Sequence, residues 1–254
     1  MRLSEMIALL EDIAPPELAY ESDQDRIGLV LDRGGNVNKV AVALDVTDYV
    51  LEEAARAGAD LLITHHTPIF HPIHRISKNL SDLLKIALES EISIYTMHTN
   101  YDRVDGGVND VLADVLELQD VEELEPGRIG RIDRQMTSTF AEFVAQKLNV
   151  SVRWVGERKI ETVMVIGGSG LNGEFVKTAI DGGADALVSG EMRHDAIRTA
   201  QNLALIDATH YATENPAMQR LCDRLPVESV FIEHAPDVQV VDNTRITYLD
   251  QMAR

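Results

Sequence analysis

Apolar positions along this chain switch repeatedly between two periods. Val40–Leu44 is an unbroken apolar run, the mark of a strand buried on both faces. Over Asp48–Ala57 the spacing becomes helical: Val50, Leu51, Ala54 and Ala55 gather on one side, Glu52, Glu53 and Arg56 on the other. Gly58 stands where a left-handed residue would end that helix. Leu61–Ile63 reads as a second strand, Ser81–Glu89 as a helix opening on an N-cap serine, and Ile92–Met97 as a third strand. This succession predicts an α/β fold, with a mainly parallel or mixed sheet and helices on both faces. Ahead of it, apolar residues interleaved with Glu5, Glu11 and Asp12 predict an amphipathic helix rather than a signal peptide.

The same succession then recurs. Val163–Ile166 reads as a strand, Glu174–Ile180 as a helix stopped by Gly182-Gly183, and Ala186–Val188 as a strand. Arg193–Gln201 follows as a helix and Leu203–Ala208 as a strand. Gly58-Ala-Asp-Leu-Leu-Ile-Thr64 aligns without a gap on Gly183-Ala-Asp-Ala-Leu-Val-Ser189. In each half a histidine, three residues and an acid follow an apolar strand: His98 to Asp102, then His210 to Glu214. The chain therefore reads as two similar, duplicated α/β domains, 1–125 and 126–254. Their join is expected within Val121–Arg134, where Pro126, Gly127 and Gly130 interrupt the periodicity. The C-terminal segment is free to return to the first domain.

Charge narrows the partners. Over 254 residues, 42 Asp+Glu oppose 23 Lys+Arg, a formal net charge of -19. Such a surface repels a phosphate backbone or an anionic membrane, which argues against a nucleic-acid partner. Only 6 of the 23 basic residues are lysines, an acid-rich, lysine-poor balance that resembles proteins of salt-loving microbes and points to a halophilic host. One cysteine, Cys222, excludes an internal disulfide framework and a Cys-rich zinc site. It falls in an apolar helical pattern over Ala217–Leu225, as a core thiol would. No apolar run of about 18 residues is present to span a membrane, so a cytoplasmic protein is expected.

Candidate chemistry gathers where strands end. In open parallel sheets, ligands bind beyond the carboxyl ends of the strands. The loops expected there carry His65-His66, His98 with Asp102, Glu191, and His210 with Glu214. Imidazoles with carboxylates suit zinc, iron, manganese or nickel. Five such ligands exceed the needs of one tetrahedral zinc and suit two ions sharing a carboxylate, about 3.5–4 Å apart. Either Asp102 or Glu214 can be that bridge. His98 reads as a ligand, a partner of one, or a catalytic acid/base, and Glu191 as a further proton carrier. His71, His74, His194 and His234 read as surface residues or as neighbours that support the ligands from behind. The bland alternative is that each histidine is merely solvated or hydrogen-bonded. One rival motif exists: Gly168-Ser-Gly-Leu-Asn-Gly173 fits the dinucleotide-binding pattern, but its counterpart Asp45-Val46-Thr47 lacks the glycines. No Walker loop, H-E-x-x-H or nucleophile elbow is present.

Taken together, Thr64-His-His-Thr-Pro68, His98-Thr-Asn-Tyr-Asp102, Ser189-Gly-Glu191 and His210-Tyr-Ala-Thr-Glu214 resemble a known family in order and spacing. Asp25-Arg-Ile-Gly28-Leu29, Gly127-Arg-Ile-Gly130 and Gly168-Ser-Gly170 add to the likeness. The family is the dinuclear-metal-centre, Nif-three-like hexameric proteins, also called GTP cyclohydrolase I type 2 homologs. The resemblance implies two similar α/β domains, a toroidal homohexamer, and two divalent metal ions per chain. It implies metal ligands at His65, His66, Asp102, His210 and Glu214, with His98 close by. It further implies a metal-dependent hydrolase that opens a nucleotide or related small molecule with activated water. A non-enzymatic metal-trafficking or cofactor-assembly protein, or a ring-shaped scaffold, is the alternative. Arg75, Arg103 and Arg193 are the nearby candidates for holding phosphates. Two departures stand out: His194-Asp195 where the family often pairs histidines after its Gly-Glu, and Thr209 where it often has glycine. The length leaves no room for an inserted domain, which marks the short form.

Overall fold

The computed structural model of the chain describes residues 1–240. The first half runs α1 (Leu3–Ile13), β1 (Gly28–Leu31), β2 (Lys39–Ala43), α2 (Asp48–Ala57), β3 (Leu61–Thr64), α3 (Lys78–Glu89) and β4 (Ser93–Thr96). Two short helices follow, α4 (Thr99–Arg103) and α5 (Val108–Val115), and then a hairpin of β5 (Gln119–Leu124) and β6 (Gly127–Met136). The second half runs α6 (Thr137–Leu148), β7 (Arg153–Val155), β8 (Lys159–Val165), α7 (Gly173–Asp181), β9 (Ala186–Ser189), α8 (His194–Thr199), β10 (Ala204–Asp207) and α9 (His210–Arg224). β11 (Glu228–Phe231) is the last strand described.

Two mixed sheets result. The first has the order β1-β4-β3-β2-β11 and the second β5-β6-β8-β9-β10-β7. At the centre of each lie three parallel strands with matching register. Leu61 pairs with Val40 and Ser93 in the first, Ala186 with Val163 and Ala204 in the second. The repeat reaches further than the sequence pattern: β1 flanks β4 antiparallel just as β7 flanks β10. The chain is thus two similar α/β domains. The position between residues 125 and 126 falls at the turn of the β5–β6 hairpin, both of whose strands belong to the second sheet.

Alternate side chains of the central strands enter opposite cores, which is why these strands read as unbroken apolar runs. Val40, Val42, Leu61 and Ile63 meet residues of α1, α5 and α9; Ala41, Ala43 and Leu62 meet α2 and α3. In the second sheet Val163, Val165, Val188 and Ile206 meet α5 and α6, while Met164, Leu187 and Leu205 meet α7 and α8. Two helices cross between halves. α9, which follows the second sheet's β10, buries Ala217, Met218, Leu221 and Cys222 in the first core. α5 gives Val108 and Val111 to the first core but Leu112, Ala113 and Leu116 to the second. The expected core thiol is there: Cys222 is buried.

Several boundaries move. Ser81 does not open α3; Ser77 does, its Oγ accepting from Leu80 N at 3.2 Å. The first turn, Lys78-Asn79, is polar and exposed, so apolar spacing misses it. α9 begins seven residues before Ala217 and carries Pro216 inside it. The four loops are also shorter than expected. Asp102 lies within α4, and His210 and Glu214 lie within α9. An acid four residues after a histidine therefore falls one helical turn along the same face.

Candidate metal centre

The exits of the two sheets face each other. His65 and His66 follow β3, and both their backbone N–H groups donate to Leu44 O, at 3.1 and 3.0 Å. The chain has left the strand pleat there, so neighbouring imidazoles turn to one side, their centroids 5.1 Å apart. His98 caps α4, and Asp102 lies one turn along it. From the other half, His210 and Glu214 come from the first two turns of α9.

Their atoms meet in two groups. His65 Nε2 lies 3.4 Å from Asp102 Oδ1 and 3.6 Å from Glu214 Oε1. His66 Nε2 lies 3.2 Å and His210 Nε2 3.0 Å from Glu214 Oε2. Among the described residues, the sets His65–Asp102–Glu214 and His66–His210–Glu214 each have the compactness to hold an ion, and Glu214 alone belongs to both. A third set, His65–His66–His98, is equally compact.

Each imidazole is oriented from behind. Nδ1 of His65 donates to Met97 O at 2.9 Å, that of His66 to Asp45 at 2.7 Å, that of His210 to Glu191 at 2.6 Å, and that of His98 to Asp23 at 2.7 Å. The second nitrogen, Nε2, is left for the centre, the arrangement that fixes tautomer and direction in metal-binding histidines. Glu191, taken from the sequence as a proton carrier, is placed behind His210. Asp23 and Asp45 are the functional neighbours that sequence reasoning missed. Asp45 does follow a strand, as the other candidates do; Asp23 offers no signal at all.

The protonation pattern is that of a site waiting for positive charge. Burial pulls His66 down, but Asp45 and Glu214 outweigh it and carry the imidazole to about 10. Burial likewise opposes the charge on His210, yet Glu214 and Glu191 raise it to about 9. Burial and the neighbouring Glu214 lift Asp102 to about 7. Glu214 is held well below the carboxylate range, because His65, His210 and His66 outweigh its burial. Even so, His65 Nε2 and Asp102 Oδ1 are buried without a hydrogen-bond partner. Unpaired buried polar atoms are costly and demand an explanation. Two of them facing each other beside Glu214, with nitrogen and carboxylate donors suited to a divalent cation, fit a metal centre.

The glycine-rich turn after β8 serves this centre. Gly167 N donates to Asn109, Gly168 N to Thr213, Gly170 N to Ser189 and Gly173 N to Asp195. Asn172 caps α7 by accepting from Glu174 N and Phe175 N. These groups are spent inside the protein, so the turn is no phosphate cradle. Gly168 has φ +71, and a Cβ there would collide with Glu214 Oε1. The glycine lets the turn pass against the shared carboxylate.

A cavity of about 160 Å³ opens onto the centre, lined by Tyr20, Phe175, His98, Asp102, His210 and Glu214 among others. A second hollow of about 360 Å³ lies beyond His66 and His210, with Asp45, Glu191 and Tyr211. None of the three arginine candidates lines either one. Arg103 is engaged by Glu125 and Leu18 O, Arg193 by Asp195, and Arg75 is exposed. His71, His74 and His194 are exposed as expected; His234, also exposed, bonds Thr47 at 2.9 Å beside the second hollow.

Comparison with known proteins places this arrangement. The family model described as Duf34/NIF3 (NGG1p interacting factor 3) matches residues 1–240. The chain belongs to the DUF34/NIF3 family. A Methanocaldococcus jannaschii relative named "GTP cyclohydrolase 1 type 2 homolog" is 31% identical over 223 residues, covering 84% of this chain and 90% of that protein. A Streptomyces coelicolor relative of the same name is 32% identical over 239 residues, 85% of this chain and 82% of the relative. Among solved structures, reduced HcgD from M. jannaschii superposes with a TM-score of 0.82 at 29% identity, covering 92% of this chain and 98% of HcgD. A Bacillus cereus protein related to NIF3 has the same fold, with a TM-score of 0.87 at 24% identity, over 95% of this chain and 99% of that one. Among the described residues, no helix is long and apolar enough to cross a membrane.

Proposed function

We propose that this DUF34/NIF3 protein is a metal-dependent hydrolase acting on a nucleotide or related small molecule. His65, His66, Asp102, His210 and Glu214 would hold two divalent cations, with Glu214 as the bridge. The observation that carries this reading is the sharing of Glu214: its Oε1 faces the His65 set and its Oε2 the His66–His210 set. The name of the relatives, GTP cyclohydrolase 1 type 2 homolog, supports the substrate class. When bound, paired cations polarise a substrate oxygen and lower the pKa of water to near neutrality.

This chain's residues supply the rest. Asp45, Glu191 and Met97 O hold the ligand rings in place. Tyr20 and Phe175 on the cavity wall suit the face of a flat ring and shield it from water. His98, on the same wall, is placed to carry a proton. Assembly into a toroidal homohexamer, with the centres facing an inner space, belongs to the same proposal, and light scattering tests it.

One observation favours a second reading, metal delivery to a cofactor. Among the described residues, no lysine or arginine lines the cavity, so no basic side chain there is placed to clasp a triphosphate. Elemental analysis and turnover of nucleotides, comparing wild type with Glu214→Ala, separate the two. About two ions per chain and substrate loss in the wild type alone support the hydrolase. Two ions with equal, negligible turnover in both proteins, and rapid transfer to an acceptor, support delivery. No bound ion in protein purified without chelator overturns both.

A further inference from the structure

A buried carboxylate behind His98 has no part in the metal set. Asp23 lies in the segment between α1 and β1, its side chain only 3% exposed. Its Oδ2 accepts from His98 Nδ1 at 2.7 Å, Thr99 Oγ1 at 2.8 Å and Thr99 N at 3.2 Å. Burial disfavours the charge on Asp23, but His98 and Thr99 outweigh it and hold the carboxyl below its usual range. Because Asp23 occupies Nδ1, the nitrogen that His98 can offer the cavity is Nε2.

The duplication provides an internal comparison. His98 and His210 hold the same place in the two repeated units. His210 Nε2 is 3.0 Å from the carboxylate one turn along its helix. His98 is not: among the described residues, Asp23 alone puts a carboxylate oxygen within 4.0 Å of its ring nitrogens. Yet His98 presents a nitrogen within 4.8 Å of those of His65 and His66 and lines the cavity. Of the two repeated histidines, one reaches the shared carboxylate and the other stands beside the reaction space.

We propose that His98 is the proton carrier of the site and that Asp23 is its positioning residue, which brings the segment ahead of β1 into the functional machinery. This rests on the hydrolytic reading above. Nε2 takes a proton from the attacking water as its oxygen bonds to the electrophilic atom. That proton then passes to the leaving group as the old bond breaks. The sum is the addition of water, with no oxidant or reductant. Asp23 holds the ring in the Nδ1–H form and stabilises the imidazolium between the two transfers.

The test uses full-length protein labelled with ¹⁵N-histidine, loaded with zinc, in four forms: wild type, His98→Gln, Asp23→Asn and Asp23→Glu. The His98 signals are identified by their absence from His98→Gln. They should report the Nδ1–H tautomer in wild type and Asp23→Glu, and a mixture in Asp23→Asn. His98→Gln should keep the wild-type zinc content. On a substrate that the wild type hydrolyses, kcat should fall about 10²–10⁴-fold in His98→Gln, the usual contribution of an acid/base group. It should fall roughly 10–100-fold in Asp23→Asn, with KM little changed and partial recovery in Asp23→Glu. Loss of an ion from His98→Gln, an Nε2–H tautomer in the wild type, or full activity in Asp23→Asn overturns the proposal. Absence of turnover in the wild type defeats the hydrolytic reading itself, and the proton-carrying role with it. The tautomer and the zinc content then still decide whether Asp23 fixes His98 outside the metal set.

Discussion

Thr209 has φ +67 and ψ 153, a region that β-branched residues avoid, one position before His210. The strain is held in place by Asp207, which accepts from Thr209 N at 3.1 Å, and by the cap that Thr209 Oγ1 gives Ala212 N. Backbone strain of this kind costs about 1–3 kcal/mol, whereas a glycine cap loses only a few tenths of a kcal/mol against threonine. Thr209→Gly is therefore expected to raise stability by roughly 1 kcal/mol, read as a higher denaturation midpoint in urea. A lower midpoint would mean that the side chain matters more than the backbone. The imidazoles allow a second prediction. With His66 near 10 and His210 near 9, both are protonated in the metal-free protein at pH 7. Cation binding must expel those protons, so affinity rises with pH up to about 9–10. Calorimetry at pH 7 in buffers of different ionisation enthalpy should count at least two protons released, with Asp102, lifted to about 7, adding a further fraction. The two His-x3-acid pairs around the centre were legible because their spacing repeats, and His65-His66 because the pair directly follows an apolar strand. Asp23 was not, since it meets His98 across 75 positions through folding alone.

Elements were legible where one face is apolar. α2 ends at Gly58 with φ +70, as its pattern requires. Polar first turns hid the starts of α3 and α9, and Pro216 made a break at Ala217 the natural reading of α9. What no pattern reveals is which sheet a helix packs on. α5 has apolar residues on two sides because it serves two cores. Leu112→Ala on its second-sheet side, at a fully buried position, should cost about 2–5 kcal/mol. Because α5 joins the cores, both halves should unfold in one transition at the lowered midpoint. Two separated transitions would show that the halves are independent.

At the scale of the whole molecule, the metal set accounts for only two of the 42 acidic residues. Most of the others lie on the surface, where like charges repel one another and screening by salt relieves them. Raising sodium chloride from 0.1 to 1 M should therefore raise the melting temperature of the chelator-treated protein. A fall would show that surface ion pairs outweigh the repulsion. The exchange of helices between halves reaches into the motion of the molecule. The helix that carries His210 and Glu214 is anchored in the opposite half, and α5 is clamped between the two. Amide protons of α5 and α9 should thus be among the last to exchange with solvent, released only when both sheets come apart. A site built across that seam keeps its spacing through every smaller fluctuation of either half.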